Sequence, residues 1–377
     1  MYFFVLQFAI LNNTRNITSL DNSILLNIVI ITSVLLLFLG IFFIVRSLTR
    51  TAFKIQHTFE KTLIHIIVPK EKRSEGSNNN NQEDRLEQIK EEIGITETIF
   101  ASLASQKAQR GILHWFKGRN DNFSFEIVIH NNLINFYVSV PIKMKSFIEQ
   151  QINAQYPFAH IEEITDYNIF SEKSSIIGSY LTADNNPSFP FKTYKKMDSD
   201  PMSAVLNVLA RIHENNSSAS IQFVLRSAHK KWRKKGIHIV REVKKGKKFE
   251  EVTSNNFFKD LFKFIGKGVG EQIGTTKDKS LDDKYQISGM EEEMMKGIEE
   301  KLSKGGMDVT ARIISSSDIE EMAKMNLDNI IGAFGQYNLY RYGNSFKAKI
   351  PRNQKNIISD FIHRAFNEKK QILFVRY

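Results

Sequence analysis

Cysteine is absent from all 377 residues, which excludes a disulfide framework, thiolate catalysis and cysteine-ligated zinc or iron–sulfur clusters. The nine histidines form no His-Glu-x-x-His or His-x-His spacing, so no metal centre is written into a single element. No Gly-Lys pair has the upstream glycine and following Ser or Thr of a phosphate-binding loop, and the chain therefore has no nucleotide-driven motor of its own. Carboxylate runs such as Glu162-Glu163 and Glu291–Glu293 have no Ser, His and Asp signature beside them. The sequence assigns no catalytic residue, metal ligand or cofactor, and the expected protein is not an enzyme.

Charge is missing from Ile24 to Val45, twenty-two residues interrupted only by Asn27, Thr32 and Ser33. As a helix this run reaches roughly 33 Å, enough to cross a hydrocarbon core of about 30 Å. It is too long, and starts too late, for the apolar core of a cleavable signal peptide. Residues 1–22 are then a short extracytoplasmic or interfacial segment, and 23–46 a transmembrane helix. Before the run stands only Arg15, whereas Arg46, Arg50, Lys54, Lys61, Lys70, Lys72 and Arg73 follow it. The positive-inside rule predicts a single-pass inner-membrane protein with its C-terminal region in the cytoplasm.

The remaining chain predicts an α+β fold of two ferredoxin-like, split βαβ units, the first over 47–170 and the second over 171–377. In the first, Thr62–Val68 reads as a strand, 69–84 as a polar loop and 85–109 as a helix that Gly94 can divide. Phe123–Val140 reads as a hairpin turning at Asn131-Asn132, because asparagine tolerates the positive φ of a tight turn. Lys143–Tyr156 has the apolar spacing of an amphipathic helix, and His160–Thr165 closes the unit as a strand. The second unit reads as strand 176–183, helix 201–213 and strand 220–226, then helix 290–304 and strand 308–315. A final helix over 317–337 opens with a capping-box pattern, Ser317 three residues before Glu320.

Between the second unit's halves lies an insertion, 227–287. Arg226–Lys248 holds eleven Lys or Arg and one Glu, a net of +10, against +11 for the whole chain. Lys230, Lys231, Arg233, Lys234, Lys235, Lys244, Lys245, Lys247 and Lys248 are candidate polyanion-binding residues, with Trp232 to stack a base or anchor at an interface. The same composition also describes a solvated excursion with no ligand. Phe257, Phe258, Leu261, Phe262 and Phe264 form one apolar cluster in the rest of the insertion, read as a partly ordered amphipathic hairpin or excursion.

Three groups of words carry a family resemblance: Glu126-Ile127-Val128, Ile148-Glu149-Gln150-Gln151-Ile152-Asn153-Ala154-Gln155-Tyr156-Pro157, and Asp166-Tyr167. With Asp200-Pro201 and Ile221-Gln222-Phe223 they resemble the membrane-anchored region of an uncharacterised family. Its members are mainly from candidate-phylum, Patescibacteria-like bacteria and are linked to type IV secretion and conjugation ATPases. The resemblance covers about residues 25–375 and implies a non-catalytic assembly or docking component of a DNA-translocating machine. In longer relatives an ATPase is thought to follow this region, so the resemblance implies either a motor on a separate polypeptide or a relation to secretion that is only genomic. Nucleic acid, anionic lipid, the membrane and a second copy of the chain are the expected partners. A structural envelope protein that self-associates and holds anionic lipid through the basic insertion is the alternative.

Overall fold

The computed structural model describes residues 22–69, 82–248, 251–252, 288–339 and 343–375. Two compact units emerge, one of residues 1–56 with 110–118 and the other of 57–109 with 119–377.

The first unit is dominated by helix α1, Asn22–Phe59. From Leu26 to Val45 its uncharged residues are all exposed, Leu36 by 68% and Phe38 by 73%. The apolar stretch has the length and composition of one membrane span. The helix does not stop at Val45 but continues through Arg46, Arg50 and Lys54. No proline or glycine intervenes there to break it.

The second unit is one antiparallel sheet. Its strands, in chain order, are β1 (Lys61–Ile67), β2 (Phe123–His130), β3 (Leu133–Pro141), β4 (His160–Ile164), β5 (Ser175–Ala183), β6 (Ser218–Ser227), β7 (Gly306–Ser317), β8 (Phe346–Lys349) and β9 (Ile372–Val375). They lie in the order β4-β1-β3-β2-β6-β7-β5-β8, with β9 pairing on β7. The β2–β3 turn falls at Asn131 and Asn132, with φ of 51° and 64°, as the asparagine pair predicts. Pairing of β2 with β6, from Phe123↔Leu225 to Ile129↔Ala219, carries the sheet without interruption across residue 170.

Alternating side chains divide this sheet into two faces. One face receives α2 (Gln82–Ser105), α4 (Lys145–Gln155), α5 (Ser203–Ala210) and α8 (Glu320–Ala333); the short α3 (Ile112–Lys117) belongs to the first unit. Helices α2 and α4 enclose Ile99, Leu103, Ile148 and Ile152 with Ile64, Phe123 and Val140, and α5 and α8 enclose Val205, Leu209, Leu327 and Ile330 with Ile221 and Ile313. The opposite face is covered in part by α9, Gln354–Ile362, whose Ile357 and Phe361 pack with Val128, Tyr180 and Ile314.

Several local expectations shift. Gly94 leaves α2 unbroken. Ser317 is not a helix cap: pairing with Ser175 holds it at the end of β7, its hydroxyl accepts from Ile319 N at 3.3 Å, and the helix starts at Glu320. A reciprocal capping box instead opens α7, Gly289–Ser303, where Ser288 and Glu291 bond each other's backbone N–H. The basic segment is no irregular excursion over 231–244 but a helix, α6, Lys231–Lys244. The loop 70–81 and the phenylalanine cluster at 257–264 lie outside the described residues.

Candidate functional site

Helix α6 forms because its apolar residues recur on one side. Ile239, Val240 and Val243 are buried against Met295, Ile298 and Leu302 of α7, with Phe189 and Val252 completing a satellite core. Gly236 permits the approach, since a Cβ there would come within 2.5 Å of Leu302 Cδ2. Burying that side turns the cations outward.

The candidate cations then separate into two sets. Lys230, Lys234, Arg241 and Lys248 are exposed and make the first set; 230, 234, 237, 241 and 245 succeed one another at three- and four-residue steps, one stripe of the helix whose last member, Lys245, belongs to the second set. Ile237, 43% exposed, interrupts this stripe with an apolar side chain. Lys235 is also exposed, while the Lys231 side chain lies outside the described ones. The second set is tied to protein acceptors. Arg233 Nη2 donates to Lys304 O at 2.6 Å. Lys244 meets Glu299 at 2.6 Å, while Lys245 and Lys247 converge on Glu242 at 2.9 and 2.6 Å. Hydrogen bonds from Lys247 and then Lys245 pull the Glu242 carboxyl down to about 2. Trp232 is half-buried and packs on the satellite core, its ring filling the space above Gly306 where a Cβ would approach Nε1 to 2.5 Å.

Helix α7 supplies the counter-charge. It carries Glu291, Glu292, Glu293, Glu299 and Glu300 against Lys296 and Lys301, and so offsets part of the excess on α6. A groove of about 570 Å³ runs between the two helices, floored by Ile237, Val240 and Leu302 and rimmed by Arg241, Lys244, Lys245 and Glu299. Exposed pairs such as Lys244–Glu299 are worth about 0–1 kcal/mol, so a phosphate arriving at the rim competes with them at small cost. The groove offers charge and apolar contact. Arg241, absent from the sequence-derived set, stands in the middle of the stripe; its spacing from Lys230 and Lys234 is the signal that would have found it.

A second polar constellation, which sequence reading missed, crosses the sheet on the α9 face. Register aligns Glu162, His65, Tyr137, Glu126, Gln222, Arg312, Tyr180 and Lys349, one residue from each of eight strands. Its centre is buried, Glu126 at 1% and Gln222 and Arg312 at 0% exposure. Arg364 reaches Glu126 Oε1 at 2.9 Å and Asp166 Oδ1 at 2.8 Å. Gln222 Nε2 and Tyr167 Oη donate to Glu126 at 2.9 and 2.6 Å. Arg312 donates to Ala365 O, and Asp360 accepts from Tyr180 Oη at 2.7 Å and Asn367 Nδ2 at 3.0 Å. Lys61 Nζ donates to Arg364 O at 3.2 Å, and burial, then the Arg364 charge, lower its pKa to about 7. Burial opposes charge on Arg364 too, but Glu126 and Asp166 outweigh it and raise its pKa above the ordinary range. Glu126, Arg364, Asp166 and Tyr167 bond one another, whereas Gln222 Oε1 and Arg312 Nε and Nη1 are buried without a hydrogen-bond partner among the described residues. The bonds to Arg364, Ala365 and Asn367 tie the 360–367 segment to the sheet. A polar residue at the centre of each apolar strand, in Phe-Glu-Ile, Ile-Gln-Phe and Ala-Arg-Ile, was the available signal.

Among the described residues no group of His, Asp and Glu is arranged to hold a metal ion. No curated protein matches the chain. Among solved structures, the crystal structure of aclacinomycin oxidoreductase aligns at 8% identity with a TM-score of 0.27, over 74% of this chain and 41% of that one. The chain thus spans less than half of that protein, and neither fold nor activity follows from so distant a likeness. A family profile described as a domain of unknown function, DUF8128, matches residues 85–372, nearly the whole sheet-bearing region and the cationic groove, and the chain belongs to that family.

Proposed function

We propose that the chain is a single-pass membrane protein of the inner membrane whose cytoplasmic α+β region is a non-catalytic docking platform for a type IV secretion or conjugation-like translocation machine, with a secretion-type ATPase as its partner. The observation that carries the membrane part is α1, whose Leu26–Val45 stretch is exposed throughout while the helices on the sheet each bury a face. The cations from Arg46 onward support a cytoplasmic C-terminal side. The exposed cations Lys230, Lys234 and Arg241 support contact with nucleic acid in transit, through counterion release rather than base reading.

Each half of the sheet reads as a ferredoxin-like unit. The strand order β4-β1-β3-β2 and its counterpart β8-β5-β7-β6 support that reading and an ancient duplication. The envelope-protein alternative rests on Ile237 within the cationic stripe, which suits an anionic lipid surface.

The test uses the full chain in detergent. Salt-dependent binding of duplex or single-stranded DNA, weakened by Lys230→Gln, Lys234→Gln and Arg241→Gln together, with co-purification of a secretion-type ATPase from native cells, is the expected result. Binding to phosphatidylglycerol vesicles but not to DNA, with no ATPase recovered, would overturn the docking reading in favour of the envelope one.

A further inference from the structure

Helix α3 does not belong to the sheet unit although the chain on both sides of it does. At its base, within the sheet unit, Gln109 and Asn120 exchange hydrogen bonds of 2.5 and 3.0 Å, and Arg119 grips Asp121 at 2.7 Å. Between these residues the chain leaves as a finger hinged at Gly111 and Gly118, with φ of 108° and 99°, values that a side chain would strain. The finger Ile112–Lys117 lies on α1. Trp115 stacks on Phe42 with ring centroids 6.2 Å apart, and Phe116 lies 5.8 Å from the same ring. The Arg46 guanidinium sits 3.8 Å over the Trp115 ring, and Arg46 and Arg50 both donate to Trp115 O.

What the finger buries on α1 is small beside what it exposes. Ile112 is 86% exposed, Leu113 60% and Trp115 47%, three large apolar side chains on six residues. They stand level with the last uncharged turn of α1, and the first cations after it, Arg46 and Arg50, hold the finger there. Apolar surface continuous with a membrane span, a tryptophan at its edge and arginines just beyond is the composition of a bilayer interface.

We propose that residues 111–117 are a second membrane contact, an interfacial finger that places Ile112, Leu113 and Trp115 among the upper acyl chains and glycerol groups of phospholipids. It fixes where α1 leaves the bilayer. The inference rests on the reading of α1 as a membrane span, and its test separates the two.

Since the chain has no cysteine, Ile112→Cys and the control Glu172→Cys each give one site for an environment-sensitive fluorophore. The full-length variants are reconstituted into discs of phosphatidylcholine and phosphatidylglycerol. Expected is a blue-shifted emission from position 112, quenched by lipids brominated near the headgroup more than by lipids brominated near the chain end, with neither effect at 172. The native chain gives the same readout through the difference between wild type and Trp115→Phe, because Trp232 is the other tryptophan. Emission at 112 equal to that at 172 and insensitive to bromolipids, in discs that retain the protein, overturns the finger and leaves α1 standing. A shielded position 112 that bromolipids fail to quench assigns the cover to protein and also overturns it. Extraction of the protein by carbonate refutes the α1 span itself.

Discussion

The two halves of the sheet join their second and third strands in opposite ways. From β2 to β3 the chain turns in two asparagines; from β6 to β7 it spends residues 228–305, and that stretch contains the basic helix α6 and its acidic partner α7. The charges of the sheet face and of the α6–α7 pair differ in kind as well. Glu126 and Arg364 are buried and paired with each other and Arg312 is buried against the Ala365 carbonyl, whereas Lys230, Lys234 and Arg241 face solvent. Charge that cannot leave the interior organises the fold, and charge that stays hydrated is free to meet a partner.

The largest expected effect attacks the buried set. Glu126→Ala leaves the Arg364 guanidinium with Asp166 alone and removes the acceptor of Gln222 and Tyr167, and should lower the unfolding free energy by about 3 kcal/mol. Denaturant unfolding of the full chain in detergent checks this, and a loss under 1 kcal/mol would place the ionic row among ordinary surface pairs.

A pH series tests burial on both sides of the comparison. Lys301, in α7, is buried, donates to Phe189 O at 2.9 Å and has its pKa lowered by burial to about 7; Lys61 behaves alike. Unfolded lysines keep their protons to about 10.4, so between about pH 7 and 10 the unfolded state binds more protons and stability rises with pH. The slope approaches about 1.4 kcal/mol per pH unit for each lysine and vanishes below pH 7. Lys301→Met should remove one lysine's share, and an unchanged slope would show that Lys301 is charged in the fold. Above pH 10 burial of Tyr337, which raises its pKa to about 12, acts with the opposite sign, so the rise ends there.

The short turn is the next target. Asn131→Val forces a β-branched residue to φ 51° and should cost about 1–2 kcal/mol. Asn131→Gly should cost little, since glycine adopts positive φ without a Cβ clash. Equal losses from both would mean that the asparagine side chains, rather than the backbone, hold the turn.

The smallest effect on stability, within about 0.5 kcal/mol, is expected of Lys230→Gln, Lys234→Gln and Arg241→Gln combined. The same variant should lower the slope of log K against log salt for DNA by about 2–3 units. A stability loss like that of Glu126→Ala would erase the distinction between the two charge sets.

How much of this was legible varies by element. The membrane-length helix, the Asn131-Asn132 hairpin and the strands of both halves follow from local pattern, because period and turn chemistry act over a few residues. The strand β8, the helix α9 and the strand β9 went unread, since Phe346–Lys349 and Ile372–Val375 are four residues each and gain their conformation from pairing with β5 and β7. In the candidate site, composition marked the cationic segment. It did not show that Lys244, Lys245, Lys247 and Arg233 would be engaged by Glu299, Glu242 and Lys304 O, nor that Arg241 would stand at the centre of the free stripe.

The sequence by itself determined an uncharged span, a set of strands with their tight turn and one concentration of positive charge, all properties of neighbouring residues. Only the tertiary structure decided that Glu126, Gln222, Arg312 and Arg364 converge, because strand register and the path of the chain bring together groups separated by up to 238 positions. Local chemistry fixes what each segment becomes, while the cost of burying an unpaired charge fixes which distant segments must meet.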